Sequence, residues 1–324
     1  MHSHFPRRLA ATALAILSSL ALHASAEEFP SRTIRIIVPY SAGGGADLLS
    51  RLVAEHLSKR VKQSVVVENQ GGGSNTIGMR SVATSAKDGY TLGLATPVFV
   101  MTPSLLKDQP YDPLKDFTPV AMIGFTPMVL CVNPQVPVQS VKEFIALAKS
   151  KPGALNFASL GPATTQGLSA TMFNQMAGID AVQVPYKGSA PGTMDLIAGN
   201  VQFMFNALPS MLPQIQAGKL RALGVSSAKP SPQLPGVPSI RDVLPGYEVT
   251  TWYSFVAPAG TPDAAVRKLN REINAIVASP EFRKRLAEQG VETDPLSSAE
   301  LGRLYVHESV KWAKVIRDAK IAPE

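Results

Sequence analysis

Two glycine runs stand where an apolar segment gives way to a helical one. The first lies in "VPYSAGGGADLL" and the second in "VENQGGGSNTIG". A helix start presents amide groups without intrahelical acceptors, and a partial positive charge. Glycines ahead of it let an anion approach the backbone with no Cβ in the way. The stretch Tyr40, Ser41, Ala42, Gly43, Gly44, Gly45 is therefore a candidate cradle for a carboxylate or a phosphate. Nucleotide signatures fail: GxxxxGK[ST] is absent, and Leu48 stands where GxGxxG wants its third glycine. A small carboxylate is the expected ligand, with a tight strand–helix turn as the plain structural alternative. Asp47 and Arg51, four apart on the same helix, read as a solvated or hinge-facing pair rather than a catalytic one.

Open α/β sheets bind ligands beyond the carboxyl ends of their strands. Small or hydrogen-bonding residues recur at those ends here. They are Asn75 after "SVVVEN", Thr96 after "TLGLA", and Ser159, Gly161, Thr164 and Thr165 after "LNFA". Tyr186, Lys187 and Gly188 follow "AVQVP", and Asn206 ends "VQFMFN". Catalytic constellations are missing. Ser41 or Thr164 could act as a nucleophile, but neither His56 nor His307 falls in a strand-end loop, and there is no GxSxG. The two histidines lack zinc-site spacing, so neither a metal nor a cofactor is expected. Cys131, in "PMVLCVN", has the neighbours of a buried apolar residue rather than of a reactive thiol.

The elements that must position these residues alternate. "TIRIIVPY", "SVVVEN" and "TLGLAT" read as strands separated by the helical patterns "ADLLSRLVAEHLSKRV" and "NTIGMRSVATSA". This rhythm implies a parallel sheet with helices on its faces. It restarts after about residue 127. "SVKEFIALAKS" is a helix with a Ser140–Glu143 capping box, and "LNFAS", "AVQVPY", "VQFMFN" and "LRALGVSS" are strands with helices among them. "YEVTTWYSFVAP" is strand-like. "TPDAAVRKLNREINAIVAS" is a helix with Thr261 as N-cap and Pro262 in its first position. "SSAELGRLYVHESVKWAKVIRDA" is a last helix, with Ser297 and Glu300 as a capping box and an apolar face of Leu301, Leu304, Tyr305, Trp312, Val315 and Ile316.

The first 26 residues have a basic start, a short apolar run and the small-x-small site Ala24-Ser25-Ala26, which together predict a secretory leader cut after Ala26. Loss of Arg7 and Arg8 lowers the formal charge from +7 to about +5. The remaining cations are scattered, so no nucleic-acid face is expected. A single cysteine excludes an internal disulfide, and about 300 residues favour two lobes over one core.

The run from "IIVPYSAGGGADLLSRL" to "DGYTLGLAT" resembles the N-terminal half of Bug-type extracytoplasmic solute receptors, the binding components of tripartite tricarboxylate transporters. "VPYKGSAPGTMDLIAGNVQFMFNALPSMLPQIQAGKLRALGVSS" and "WYSFVAPAGTP" continue the resemblance over essentially the whole chain beyond the leader. It implies an α/β, two-lobe type II periplasmic-binding-protein fold that closes on a small carboxylate. Residues 27–127 and 226–324 would form one lobe and 128–225 the other. The expected product is a monomeric periplasmic receptor, not an enzyme, serving membrane transporter subunits or, alternatively, a sensor kinase. Two departures stand out. Many members carry "PFPPGGG" where this chain has "PYSAGGG", and an Asp where it has Asn206 in "MFNALPS".

Overall fold

The computed structural model describes residues 29–40, 42–43, 45–72, 75–159, 161–162, 164–186 and 189–323. The leader and its cleavage site lie outside these residues, as do Ser41, Gly44, Lys187 and Gly188.

Strands β1 (Ile34–Val38), β2 (Val65–Asn69) and β3 (Thr91–Ala95) are parallel, with β1 in the middle. Helices α1 (Gly45–Val61) and α2 (Thr76–Ala83) make the crossovers. Helix α1 forms because Leu49, Leu52, Val53 and Leu57 recur at helical spacing; they pack on Ile34, Ile36 and Val38 of β1. Burial of each such side chain contributes about 1.5–3 kcal/mol relative to exposure.

After α3 (Pro97–Leu105) comes a 16-residue strand, β4 (Phe117–Val132), about 53 Å long at ~3.3 Å per residue. From Phe117 to Pro127 it pairs with β9 (Thr250–Pro258), which lies between β3 and β4, antiparallel to both. From Met128 it pairs instead with β7 (Phe203–Ala207), and from Val129 also with β8 (Arg221–Val225). Parallel strands β5 (Leu155–Ser159) and β6 (Ala181–Pro185) complete the order β2-β1-β3-β9-β4-β7-β5-β6. Helices α4 (Val141–Ser150), α5 (Thr165–Ala177), α6 (Ser189–Ala198) and α7 (Leu208–Gln216) flank the second half of this sheet.

Prolines explain the elements missing from the sequence reading. Pro119 sits at a bulge of β4, and Pro127 sits where its partner changes from β9 to β7, both places where a lost ladder N–H is tolerated. Helices α3 and α7 carry Pro103 and Pro213 inside them. The Phe99 carbonyl that Pro103 cannot engage lies 3.5 Å from the Tyr111 hydroxyl.

The chain ends in α8 (Asp263–Val277), α9 (Pro280–Glu288) and α10 (Ser298–Asp318). The expected face of α10 is the buried one: Leu301, Tyr305, Trp312, Val315 and Ile316 join the core and Leu304 packs against it. The Ser297–Glu300 capping box is present. Two helix starts differ from expectation. Helix α8 begins at Asp263, with Pro262 before it, and the Thr261 hydroxyl donates to the Pro258 carbonyl instead of capping. At α4, Ser140 accepts the Glu143 amide, but the Glu143 carboxylate takes the amide of Gln139 rather than that of Ser140, because it reaches one residue further back. Cys131 is fully buried, and desolvation pushes its thiol far above the usual range. Among the described residues, no helix is long and apolar enough to cross a membrane.

Candidate functional site

A cavity of about 590 Å³ opens between the two halves of the sheet, where β4 changes partners. Its wall includes the starts of five helices among the described residues. These are Gly45 and Ala46 of α1, Asn75 ahead of α2, Thr96, Pro97 and Val98 at α3, Thr164 to Gln166 at α5, and Ala207 ahead of α7. Each end carries roughly half a positive charge and amides without intrahelical acceptors. Three helices that start elsewhere are closed by side chains, Ser140, Ser279 and Ser297 capping α4, α9 and α10, whereas α8, behind Pro262, is not. At the cavity, Asn75, Thr96 and Ala207 make no such cap. No charged side chain lines the cavity among the described residues. The arrangement suits a small anion held by dipoles and amides, each end contributing about 0.3–1 kcal/mol.

Hydroxyls supply the neutral contacts. The Tyr40 and Thr96 hydroxyls lie 2.6 Å apart. Burial pushes the Tyr40 phenol up to about 12, against the lowering effect of the Thr96 hydrogen bond. Burial, and then the nearness of Tyr40, put Tyr253 at about 12 as well. Both phenols therefore stay neutral near pH 7 and keep a proton to donate. The Thr164 hydroxyl is occupied: it donates to the Gly161 carbonyl at 2.7 Å and accepts the Gly167 amide at 3.2 Å. No histidine or cysteine lines the wall among the described residues.

The model of the tripartite tricarboxylate transporter family receptor matches residues 49–321. The chain belongs to this receptor family. It is 34% identical over 306 residues to protein BugT of Bordetella pertussis, covering 93% of each chain. Among solved structures, Rpa4515 of R. palustris with adipate is 37% identical, with a TM-score of 0.78, over 92% of this chain and 100% of that one. MatC of Rhodopseudomonas palustris with bound malate is 30% identical, with a TM-score of 0.73, over 89% and 100%. The architecture is thus the α/β fold of periplasmic solute-binding proteins, and the family is one of receptors.

In this receptor, seven residues singled out from the sequence meet at the cavity: Tyr40, Gly45, Asn75, Thr96, Gly161, Thr164 and Thr165. Five others stand off it. Ala42 and Gly43 are exposed beside it. Ser159 is buried and accepts from Gln183 and from the Gly161 amide. Tyr186 donates to Asp195 at 2.7 Å. Asn206 lies behind the wall and contacts Gln166, which does line it.

The Asp47–Arg51 pair corrects the sequence reading. Asp47 is only 2% exposed rather than solvated. Its carboxylate accepts from Arg51, from the Gly43 amide at 2.9 Å and from Asn69 at 2.9 Å. Hydrogen bonding from Arg51, helped by Gly43 and Asn69 and opposed by burial, holds its pKa at about 2. One amide of the proposed cradle is therefore already taken by the protein's own acid.

Sequence reasoning missed Gln166, Met128, Thr251 and Tyr253 of the wall. Thr251 and Tyr253 are two apart on β9, so both face the same way. Strand β9 runs antiparallel to β3, so its beginning meets the carboxyl ends of the parallel strands. Extending the strand-end rule to the amino end of an antiparallel strand would have found them.

Proposed function

We propose that this receptor captures a small carboxylate, a di- or tricarboxylate or an aromatic acid, in the cavity and passes it to the membrane subunits of a tripartite tricarboxylate-type transporter. The observation that carries this reading is the meeting of five helix starts on a wall that has no charged side chain among the described residues. Phosphates suit helix starts too, but the relatives captured with adipate and malate support a carboxylate. Residues 27–127 with 226–324 would form one lobe and 128–225 the other, a division supported by the exchange of β4 partners between Pro127 and Met128. A leader cut after Ala26 would deliver the chain to the periplasm. Ligand would bind without enzymatic turnover, to a monomer.

The test is a thermal-shift panel of mono-, di- and tricarboxylates, with inorganic phosphate as the contrast. A ligand at 100 times its Kd adds about 2.7 kcal/mol of stability. At least one carboxylate is expected to raise the melting temperature and phosphate is not. A shift from phosphate alone would overturn the reading. Intact mass of the exported protein is expected to start at Glu27.

A further inference from the structure

The amide of Asn206 has only one workable orientation. Its Oδ1 accepts the Ala207 backbone amide at 2.9 Å. Turned over, Nδ2 would face that N–H and two donors would oppose each other. The same oxygen accepts from Nε2 of Gln166 at 3.4 Å. Asn206 is 1% exposed, and its Nδ2 has no hydrogen-bond partner among the described residues. A residue retained for packing alone would not strand a buried donor in this way. Both hydrogen bonds use the oxygen, and one of them fixes a side chain of the cavity wall.

We infer that Asn206 is a positioning residue that turns the carbonyl oxygen of Gln166 toward the cavity. The receptor therefore prefers carboxylates carrying a neutral donor, a hydroxyl, next to Gln166. With one hydrogen of Nε2 given to Asn206, the ligand is left Oε1, which only accepts, and the second Nε2 hydrogen, which only donates. A second carboxylate could take that hydrogen but would set acceptor against acceptor at Oε1, whereas a hydroxyl both donates and accepts. An ammonium would donate, but it would stand in the positive field of the converging helix starts. A hydroxyl meets both conditions. This rests on the carboxylate reading above and names the ligand class within it.

The test is calorimetry of the purified receptor with two pairs, malate against succinate and 6-hydroxyhexanoate against adipate, plus aspartate. Wild type is expected to bind the hydroxylated member of at least one pair about tenfold more tightly, the effect of one well-made hydrogen bond, and malate more tightly than aspartate. Gln166→Leu is expected to erase the hydroxyl preference. Asn206→Leu is expected to erase it too, because the amide of Gln166 is then free to turn. Asn206→Asp keeps an oxygen for both Ala207 and Gln166, so it is expected to weaken every anion while preserving the ratio. A purely structural Asn206 would not separate these two variants. Wild-type binding of the carboxylates without a hydroxyl preference in either pair overturns this inference alone, as does tighter binding of aspartate than malate. A ratio that survives in Gln166→Leu does the same. Failure of malate and 6-hydroxyhexanoate to bind also overturns this inference, while the carboxylate reading is decided by the wider thermal-shift panel.

Discussion

The approaches to α1 and α5 solve one problem by different means. In each, a strand ends, the chain turns through a glycine with positive φ, and a helix starts at the cavity: Gly43 at +85° in the first, Gly161 at +122° in the second. The first turn is held by a buried acid. Asp47 takes the Gly43 amide and two side chains, and Arg51 balances its charge. The second is held by a neutral hydroxyl, Thr164, between the Gly161 carbonyl and the Gly167 amide. The acid holds more groups at once and ties them to proton concentration. The hydroxyl holds fewer and is indifferent to pH. A negative charge is thus already built in beside one helix start and none beside the other.

That contrast can be broken most severely at Gly45. A Cβ there meets no atom within 4 Å, so a longer side chain has room without disturbing the fold. Gly45→Asp would place a carboxylate in the cavity and is expected to abolish the thermal shift from every carboxylate while circular dichroism stays unchanged. A retained shift would locate the anion away from α1.

Next in size is Asp47→Asn. Its folded pKa of about 2 lies below the ordinary 3.8, so its stabilisation is complete above pH 4 and lost as pH falls toward 2. That difference is worth about 2 kcal/mol. The variant is expected to lose about that much at pH 7 in urea unfolding and to show a flatter acid limb. An acid limb identical to wild type would show that Asp47 does not control it. Smallest is Thr164→Ala, expected to cost about 1 kcal/mol through the lost cap, with the pH profile of wild type unchanged and Thr164→Ser restoring the loss. A cost confined to low pH would erase the distinction between the two turns.

How far the sequence could be read follows the same physics. The strand–helix alternation was legible because α1, α5 and α10 bury regular stripes. The course of β4 was not, because Pro119 and Pro127 speak against a strand until the bulge and the partner change that accommodate them are seen. Tyr40, Asn75 and Thr96 were legible as candidates because they end parallel strands or start helices. Thr251 and Tyr253 belong to a strand running the other way. The burial of Asp47 had no signal, since an acid four residues before an arginine is ordinary on an exposed helix. Asn206 illustrates the limit of a period-two pattern: the neighbouring Ala207 reaches the wall, and Asn206 acts one residue behind it.

The insertion of β9 between β3 and β4 also orders events in time. Gly93 pairs with Val256, and Phe117 with Pro258. In a chain emerging from its amino end, the edge of β3 stays open until the segment around Pro258 has followed it. Strands β5, β6, β7 and β8 and the far end of β4 have all their strand partners by Val225, with only a bridge from Val225 to Ser239 to follow. The half of the sheet that is made first is thus the half completed last, and an unpaired edge in the meantime is a template for wrong partners.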